Sequence, residues 1–456
     1  MARLFGTDGV RGVANREVTA ELAVDLGVAA AHVLAERGDF AGHRPTAVLG
    51  RDTRVSGQFL SAAVAAGLAS AGVDVLDAGV VPTPGVAYLV GAVDADLGVV
   101  ISASHNPMPD NGIKFFASGG QKLDDAVEAA IESRLGEQWQ RPIGADVGRV
   151  TSAPELVNQY VDHVVSAAAS FSGSDTPAAG ITIVVDCAHG AASDAGPAAL
   201  RAAGAEVIVL HAEPDGTNIN DGVGSTHLDA LRAAVVDRGA DFGVAFDGDA
   251  DRCLAVDGGG EIVDGDQIMG AFAVAMKARH TLYRDTLVAT VMSNLGLHRA
   301  MREAGIDIVE TAVGDRYVLE AMREAGYTLG GEQSGHIIVS EYATTGDGVL
   351  TALLLAATVV SSRASLRELC AGVVRLPQVL VNVDGVDRTR VFTDETVQKE
   401  VGDVRAELGD AGRVLLRPSG TEPLVRVMVE AETDEKARAA ADRLAAVVRA
   451  RLGTDT

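Results

Sequence analysis

Ala95-Asp96-Leu97-Gly98-Val99-Val100-Ile101-Ser102-Ala103-Ser104-His105-Asn106-Pro107 is the stretch on which the reading of this chain turns. Leu97 to Ile101 is a short apolar run that reads as a buried strand, after which the chain breaks into small and polar residues and is stopped by Pro107. A hydroxyl at the mouth of a buried strand, with His105 and Asn106 beside it, stands on a rigid base from which it can meet a ligand. Ser102 and Ser104 are the candidates, and in extended chain they share a face. Taken alone, the stretch is slightly better explained as a strand exit whose Ser and Asn satisfy backbone groups.

The neighbouring sequence changes that balance, because the beginning of the stretch recurs. Ala95-Asp96-Leu97-Gly98-Val99 is echoed by Ala240-Asp241-Phe242-Gly243-Val244 and by Tyr327-Thr328-Leu329-Gly330-Gly331. Each copy follows the same beats: a strand (46–49, 181–185, 286–291), a small polar loop, an Ala-rich helix and a glycine C-cap at Gly72, Gly204 or Gly305. The recurrence predicts three related α/β domains with mixed, parallel-rich sheets. After Arg375-Leu376-Pro377 the texture shifts to alternating strands at Val379–Val383 and Val425–Val429 and an amphipathic helix over Thr433–Arg451, a smaller α+β domain. The expected domains are 1–155, 156–258, 259–371 and 372–456, arranged around a central cleft.

The 456 residues suffice for several cores, and with aromatics at only 4% the helices must pack closely on the sheets. A net charge of -25 argues against nucleic acid and acidic membranes as partners, while a local Arg or Lys cluster still permits an anionic small substrate. Cys187, Cys253 and Cys370 are odd in number and far apart, which fits a reducing cytoplasm and argues against a disulfide framework or a thiolate zinc site. The N-terminus has no apolar run of the kind a secretion signal needs, and the apolar segment Val349–Val360 is too short to span a bilayer and reads as a buried helix. Nothing here restricts the oligomeric state.

Ligands of open α/β sheets gather beyond the carboxyl ends of strands, so the three strand exits together describe one site. The second exit is Asp247-Gly248-Asp249-Ala250-Asp251-Arg252, whose carboxylates at every second position share one side of an extended loop. Three carboxylates so close call for a hard cation, and three protein oxygens with room for a phosphate oxygen suit Mg²⁺. An EF-hand is excluded, since Gly258 stands where its twelfth-position Glu belongs. The third exit, Glu332-Gln333-Ser334-Gly335-His336, alternates Glu332, Ser334 and His336 on one side, an arrangement for gripping sugar hydroxyls or an amine. Arg417-Pro418-Ser419-Gly420-Thr421-Glu422-Pro423, with Arg426 after it, reads as an anion clamp. Arg11 in the glycine-rich Phe5–Gly12 segment is a further hydrogen-bond donor to an anion, and Lys114 can neutralise a phosphate, or act as acid/base once its pKa is lowered. Neither a G-x-S-x-G elbow nor a P-loop sequence is present.

A hydroxyl, a carboxylate triad, a sugar-gripping loop and a phosphate clamp together resemble the α-D-phosphohexomutase superfamily, in its order and over nearly the whole chain. Phe5–Gly12, Ile101–Pro107, Gly224-Ser225-Thr226-His227 and Gly331–His336 resemble its bacterial phosphoglucosamine mutase branch; phosphomannomutase/phosphoglucomutase relatives usually carry Met where Gln333 stands. The resemblance implies that Ser104 is phosphorylated and that its phosphate oxygen joins Asp247, Asp249 and Asp251 around one Mg²⁺ per chain. It implies a phosphosugar substrate, glucosamine 6-phosphate, with its phosphate on Arg417, Ser419, Gly420, Thr421 and Arg426 and its ring held by Glu332 and Ser334. Arg11, Lys114 and His336 would serve as acid/base or charge groups. Transfer would pass through glucosamine 1,6-bisphosphate, and the product would feed amino-sugar and peptidoglycan precursor synthesis. The rivals are a phosphomannomutase/phosphoglucomutase and a non-catalytic sugar-phosphate-binding protein on the same scaffold.

Overall fold

A computed structural model describes residues 3–6, 8–40, 42–419 and 424–454. It divides into two compact units, one of Met1–Val291 with Asp307–Cys370, the other of Met292–Ile306 with Ala371–Thr456.

The first unit carries three sheets laid out on one plan. In each, a first strand (Thr46–Arg51, Thr182–Asp186, Thr286–Thr290) lies between a second (Asp74–Val80, Glu206–Leu210, Asp307–Thr311) and a third (Leu97–Ile101, Phe242–Phe246, Leu329–Gly331), all parallel. A fourth strand (Asp110–Ala117, Cys253–Asp257, Ile337–Val339) then turns back antiparallel to the third. The first sheet is the largest, extended by Phe5–Gly6 and Gly9–Val13 beyond the fourth strand and by Val150–Ser152 at the other edge. This common plan is the structural form of the sequence repeat. It also explains why the three polar exits are comparable: each is the turn from the third strand into the fourth, at the carboxyl end of the parallel set.

The apolar third strands are covered on both faces. Every residue of Leu97–Ile101 and of Phe242–Phe246 is buried, as parallel strands between helices require. Gly72, Gly204 and Gly305 all adopt positive φ (94°, 99° and 65°) just beyond their helices, the left-handed turn that lets the chain enter the next strand. Low aromatic content is matched by close helix packing. A Cβ on Gly67 of helix Val55–Ser70 would fall 2.4 Å from the Val24 carbonyl oxygen of helix Ala20–Arg37, so only glycine allows that approach. Helix Gly348–Ser362 is the buried apolar segment expected from 349–360, and no helix among the described residues is long and apolar enough to cross a membrane.

In the second unit, strands Gln378–Asp384 and Arg413–Pro418 flank Leu424–Glu430, antiparallel on both sides. Helices Glu395–Leu408 and Asp434–Leu452 contribute Val397, Val401, Val404, Leu444 and Val448 to its core. The expected alternation over 425–429 is not seen: every residue of Leu424–Glu430 except Arg426 is buried, because this is the central strand.

Candidate active site

The loop after Leu97–Ile101 separates the two serines. Ser102 is directed inward, its hydroxyl donating to Asp52 Oδ2 at 2.7 Å and accepting the Ser104 N–H at 2.9 Å. Ser104 sits at φ 54°, a left-handed conformation that costs a non-glycine residue roughly 1–2 kcal/mol. They therefore do not share a face. The strain is held by a brace that sequence reading missed. Arg54, whose side chain is wholly buried, pairs with Asp52 at 2.9 Å and donates to the carbonyls of Ser104, Asn106 and Pro107 at 3.0, 2.8 and 2.6 Å. Asn220 Nδ2 reaches the Ser104 and Asn106 carbonyls from the second repeat, at 2.8 and 3.2 Å. Burial still pushes the Asp52 carboxyl up, against the pull of Arg54.

Held this way, the Ser104 hydroxyl donates to Asp247 Oδ2 at 2.5 Å. Asp247, Asp249 and Asp251 are all buried, and one carboxylate oxygen from each lies within 4.8 Å of the others. They converge through a tight turn rather than the extended loop expected from their spacing: Ala250 is left-handed at φ 56°, and its N–H returns to the Asp247 carbonyl at 3.0 Å. Asp249 Oδ1 and Asp251 Oδ1 are buried and, among the described residues, have no hydrogen-bond partner. Burial and the charges of Asp251 and Asp249 push the Asp247 carboxyl well above its usual range. Orphaned oxygens and mutual repulsion in an all-oxygen set fit a divalent cation such as Mg²⁺.

Lys114, also buried, lies 2.8 Å from Asp249 Oδ2 and 2.8 Å from Asp8 Oδ2. The lowered pKa expected for an acid/base lysine is not found. Burial disfavours the ammonium, but Asp249 and Asp8 outweigh it and hold the group above the ordinary lysine range, so in this arrangement Lys114 is a paired cation.

A cavity of about 450 Å³ opens in front of this cluster, lined in part by Arg11, His105, Arg252, Asp315, Glu332 and His336. Arg11 pairs with Asp8 across the hairpin of the first two strands, and its guanidinium Nε, like that of Arg252, makes no hydrogen bond among the described residues; Arg252 Nε lies 3.8 Å from Asp251 Oδ1. Glu332 and His336 are brought together by a hairpin, not by extended alternation: Glu332 N–H donates to the His336 carbonyl at 2.9 Å, and Gly335 turns at φ 91°. Ser334 Oγ is 3.5 Å from Glu332 Oε2, at the limit of a hydrogen bond. The His336 ring accepts the Gly346 N–H on Nε2 at 3.1 Å, and Nδ1 lies 3.7 Å from Asp251 Oδ2. Burial opposes its protonation and Asp251 favours it, with a net upward shift. A Cβ on Gly346 would meet that ring at 2.5 Å.

In the second unit, Arg417 and Arg426 are cross-strand partners. Burial and the neighbouring Arg426 charge both lower the Arg417 pKa. Ser419 is buried and its carbonyl accepts from Arg388, a basic residue that sequence reading passed over. Gly420 and Thr421 lie outside the described residues.

Asp8, Asp52, Arg54, Thr83, Asn220, Arg252 and Asp315 join this site without having been expected. For Asp52 and Arg54 a signal existed: Arg51-Asp52-Thr53-Arg54 is the exit of the first parallel strand, next to the exit that carries Ser104. For Thr83, whose hydroxyl bonds Asp249 Oδ2 at 2.6 Å, no local pattern announces the contact.

Comparison with known proteins covers the same ground. Residues 2–141, 158–260 and 264–376 match phosphoglucomutase/phosphomannomutase alpha/beta/alpha domains I, II and III, and 380–447 match the C-terminal domain of that family. A phosphoglucosamine mutase of Acidothermus cellulolyticus is 64% identical over 451 residues, spanning 99% of this chain and 96% of the relative. A phosphoglucosamine mutase of Nocardioides sp. is 63% identical over 453 residues, spanning 99% and 100%. Among solved structures, a phosphoglucomutase/phosphomannomutase family protein of Burkholderia thailandensis superposes with a TM-score of 0.77 at 25% identity, covering 98% of this chain and 97% of the other.

Proposed function

The chain belongs to the phosphoglucomutase/phosphomannomutase family, and we propose that it interconverts glucosamine 6-phosphate and glucosamine 1-phosphate as an isomerase. The observation that carries the chemistry is the Ser104 hydroxyl, buried and directed at Asp247 within the carboxylate triad. The sugar is taken from full-length relatives above 60% identity that are named phosphoglucosamine mutase.

Ser104 in its phosphorylated form gives its phosphoryl group to O1 of glucosamine 6-phosphate. The P–Oγ bond breaks, the P–O1 bond forms and the O1 hydroxyl loses its proton. The resulting 1,6-bisphosphate turns over, and its C6 phosphoryl group returns to Ser104 as O6 regains a proton, which releases glucosamine 1-phosphate and restores the phosphoenzyme. Asp247, Asp249 and Asp251, with a phosphate oxygen on Ser104, would hold Mg²⁺, which when bound supplies positive charge to the transferring group. Arg11 and Lys114 add positive charge around it, His336 is the group placed for proton exchange, Glu332 and Ser334 hold the sugar ring, and Arg417, Ser419, Gly420, Thr421 and Arg426 anchor the phosphate that is not reacting. The test compares glucosamine, glucose and mannose 6-phosphates on one phosphorylated preparation. The highest kcat/KM is expected for glucosamine 6-phosphate; preference for either neutral sugar would replace this reading with a phosphomannomutase/phosphoglucomutase.

A further inference from the structure

A ring of alternating acidic and basic side chains runs round the wall of the cavity. Asp8 presents one oxygen to Lys114 Nζ and the other to Lys122 Nζ, each at 2.8 Å. Lys122 also donates to Asp315 Oδ2, which lies 3.6 Å from His336 Nε2. His336 Nδ1 is 3.7 Å from Asp251 Oδ2, and that oxygen is 3.9 Å from Lys114 Nζ, which closes the ring. Asp8, Asp251, Asp315 and His336 line the cavity. Lys122 does not; its side chain is 11% exposed and stands behind the wall.

Its position is the informative feature. Lys122 belongs to the short strand Gln121–Lys122, paired on Phe116 beside Lys114 in the first repeat. Asp315 opens helix Asp315–Ala325 of the third repeat, the repeat that also carries Glu332 and His336. One ammonium therefore joins the wall that holds Lys114 to the wall that holds His336. We propose that Lys122 is a positioning residue for phosphoryl transfer, setting the distance between these two walls while touching neither substrate nor metal. Without it, Asp8 keeps Lys114 and Arg11, whereas Asp315 loses its nearest cation and the carboxylates on opposite walls repel. Small displacements of reacting groups are costly in rate.

The structure also holds a control. Arg316, the next residue, ties the same two repeats together through Asp125 and Glu128 of helix Asp125–Ser133, reaching Glu128 Oε1 at 2.9 Å, but it lies outside the ring. If Lys122 served only to dock the third repeat on the first, Arg316 would do the same work.

The inference rests on the mutase reading above, and the experiment separates the two. Steady-state kinetics on glucosamine 6-phosphate and melting temperatures are measured for the full chain and for Lys122→Met, Lys122→Arg, Asp315→Asn and Arg316→Met. Lys122→Met is expected to lower kcat by about a hundredfold with KM much less affected. Lys122→Arg should recover most of that loss, and Asp315→Asn should cost a similar factor that does not multiply with Lys122→Met. Arg316→Met should keep kcat near wild type even where its melting temperature falls. Wild-type kcat in Lys122→Met overturns the inference, as does an equal loss in Arg316→Met. Should Lys122→Met fail to fold, wild-type kcat in Asp315→Asn overturns it instead. A wild-type chain inactive on every hexose and hexosamine phosphate overturns the mutase reading and this inference with it; an active one with unaffected variants overturns this inference alone.

Discussion

On one side of Ser104 stands the Asp52–Arg54–Ser102 cluster and on the other stand Asp247, Asp249 and Asp251; both are buried, and both are rich in charge. They differ in how their polar atoms are used. Arg54 alone spends its donors on one carboxylate and three carbonyls, and Asp52 accepts from Arg54 and from Ser102. In the triad, two carboxylate oxygens make no hydrogen bond among the described residues, and Asp247 is driven towards protonation by burial and by its neighbours' charges. A buried network whose members are satisfied holds shape, whereas one left short of positive charge is built to receive it. The difference separates the support of Ser104 from its chemistry, and substitutions on the two sides should fail in different ways.

The largest effect should come from Ser104 itself, where the two clusters meet. Ser104→Ala removes the hydroxyl proposed to carry the phosphoryl group, so turnover should vanish while the melting temperature hardly moves. Intact-mass analysis should find phosphate on the wild-type chain and peptide mapping should place it at Ser104. Near-normal turnover in Ser104→Ala would dissolve the comparison, because the brace would then be supporting nothing chemical.

Next come the two sides taken separately. Asp249→Asn keeps the shape of the triad and removes one of its charges. Turnover should fall by about 10²–10³, the size of effect seen when one preorganised electrostatic group is lost, and the Mg²⁺ concentration needed for half activity should rise. Chelator-resistant activity in both wild type and variant would remove the metal from the site. Arg54→Met acts on the other side and should be read as stability. It leaves Asp52 buried without its cation and strips donors from three carbonyls, at a cost of about 3–5 kcal/mol in chemical denaturation. Stability within about 0.5 kcal/mol of wild type, the range of an ordinary surface change, would mean the brace is ornamental.

The two sides were also unequally legible in the sequence. Asp247, Asp249 and Asp251 fall within five consecutive residues after an apolar strand, so their convergence is local and their chemistry can be read from spacing; only the turn at Ala250 escaped. The same holds for Ser104 and for the helix-capping glycines, each marked by its neighbours in the chain. The brace is assembled from positions 52, 54, 102 and 220, and the charged ring from 8, 114, 122, 251, 315 and 336, so neither exists until the repeats fold and pack. Lys114 shows the limit well. Its place on a strand could be read, but the sign of its pKa shift depends on Asp249 and Asp8, carboxylates that meet it only in the folded chain.

The smallest expected effect tests whether hydrogen bonds alone can satisfy a buried carboxylate. Asp347 accepts from the Leu350 N–H at 2.9 Å as the cap of helix Gly348–Ser362, and from the Tyr160 hydroxyl at 2.8 Å, yet among the described residues no cation forms an ion pair with it. It lies between the two cases, with donors like Asp52 and uncompensated charge like the triad. Burial raises its pKa from 3.8 to about 6, against the pull of those hydrogen bonds. As pH climbs past 3.8 the unfolded chain releases this proton first, while the folded chain keeps it until about pH 6. Over that window the folded state binds more protons than the unfolded one, so this residue's contribution to stability falls with rising pH and is flat above it. A pKa raised from 3.8 to about 6 corresponds to a fall on the order of 3 kcal/mol. Asp347→Asn has no proton to lose and should lack this component. Denaturation curves of both chains at several pH values give the difference in their stabilities, which should move in favour of the variant from the lower to the upper end of the window and then stay constant. Parallel curves would mean that Leu350 and Tyr160 compensate the charge fully, and that the line between satisfied and unsatisfied clusters lies in hydrogen bonds rather than in counter-charge.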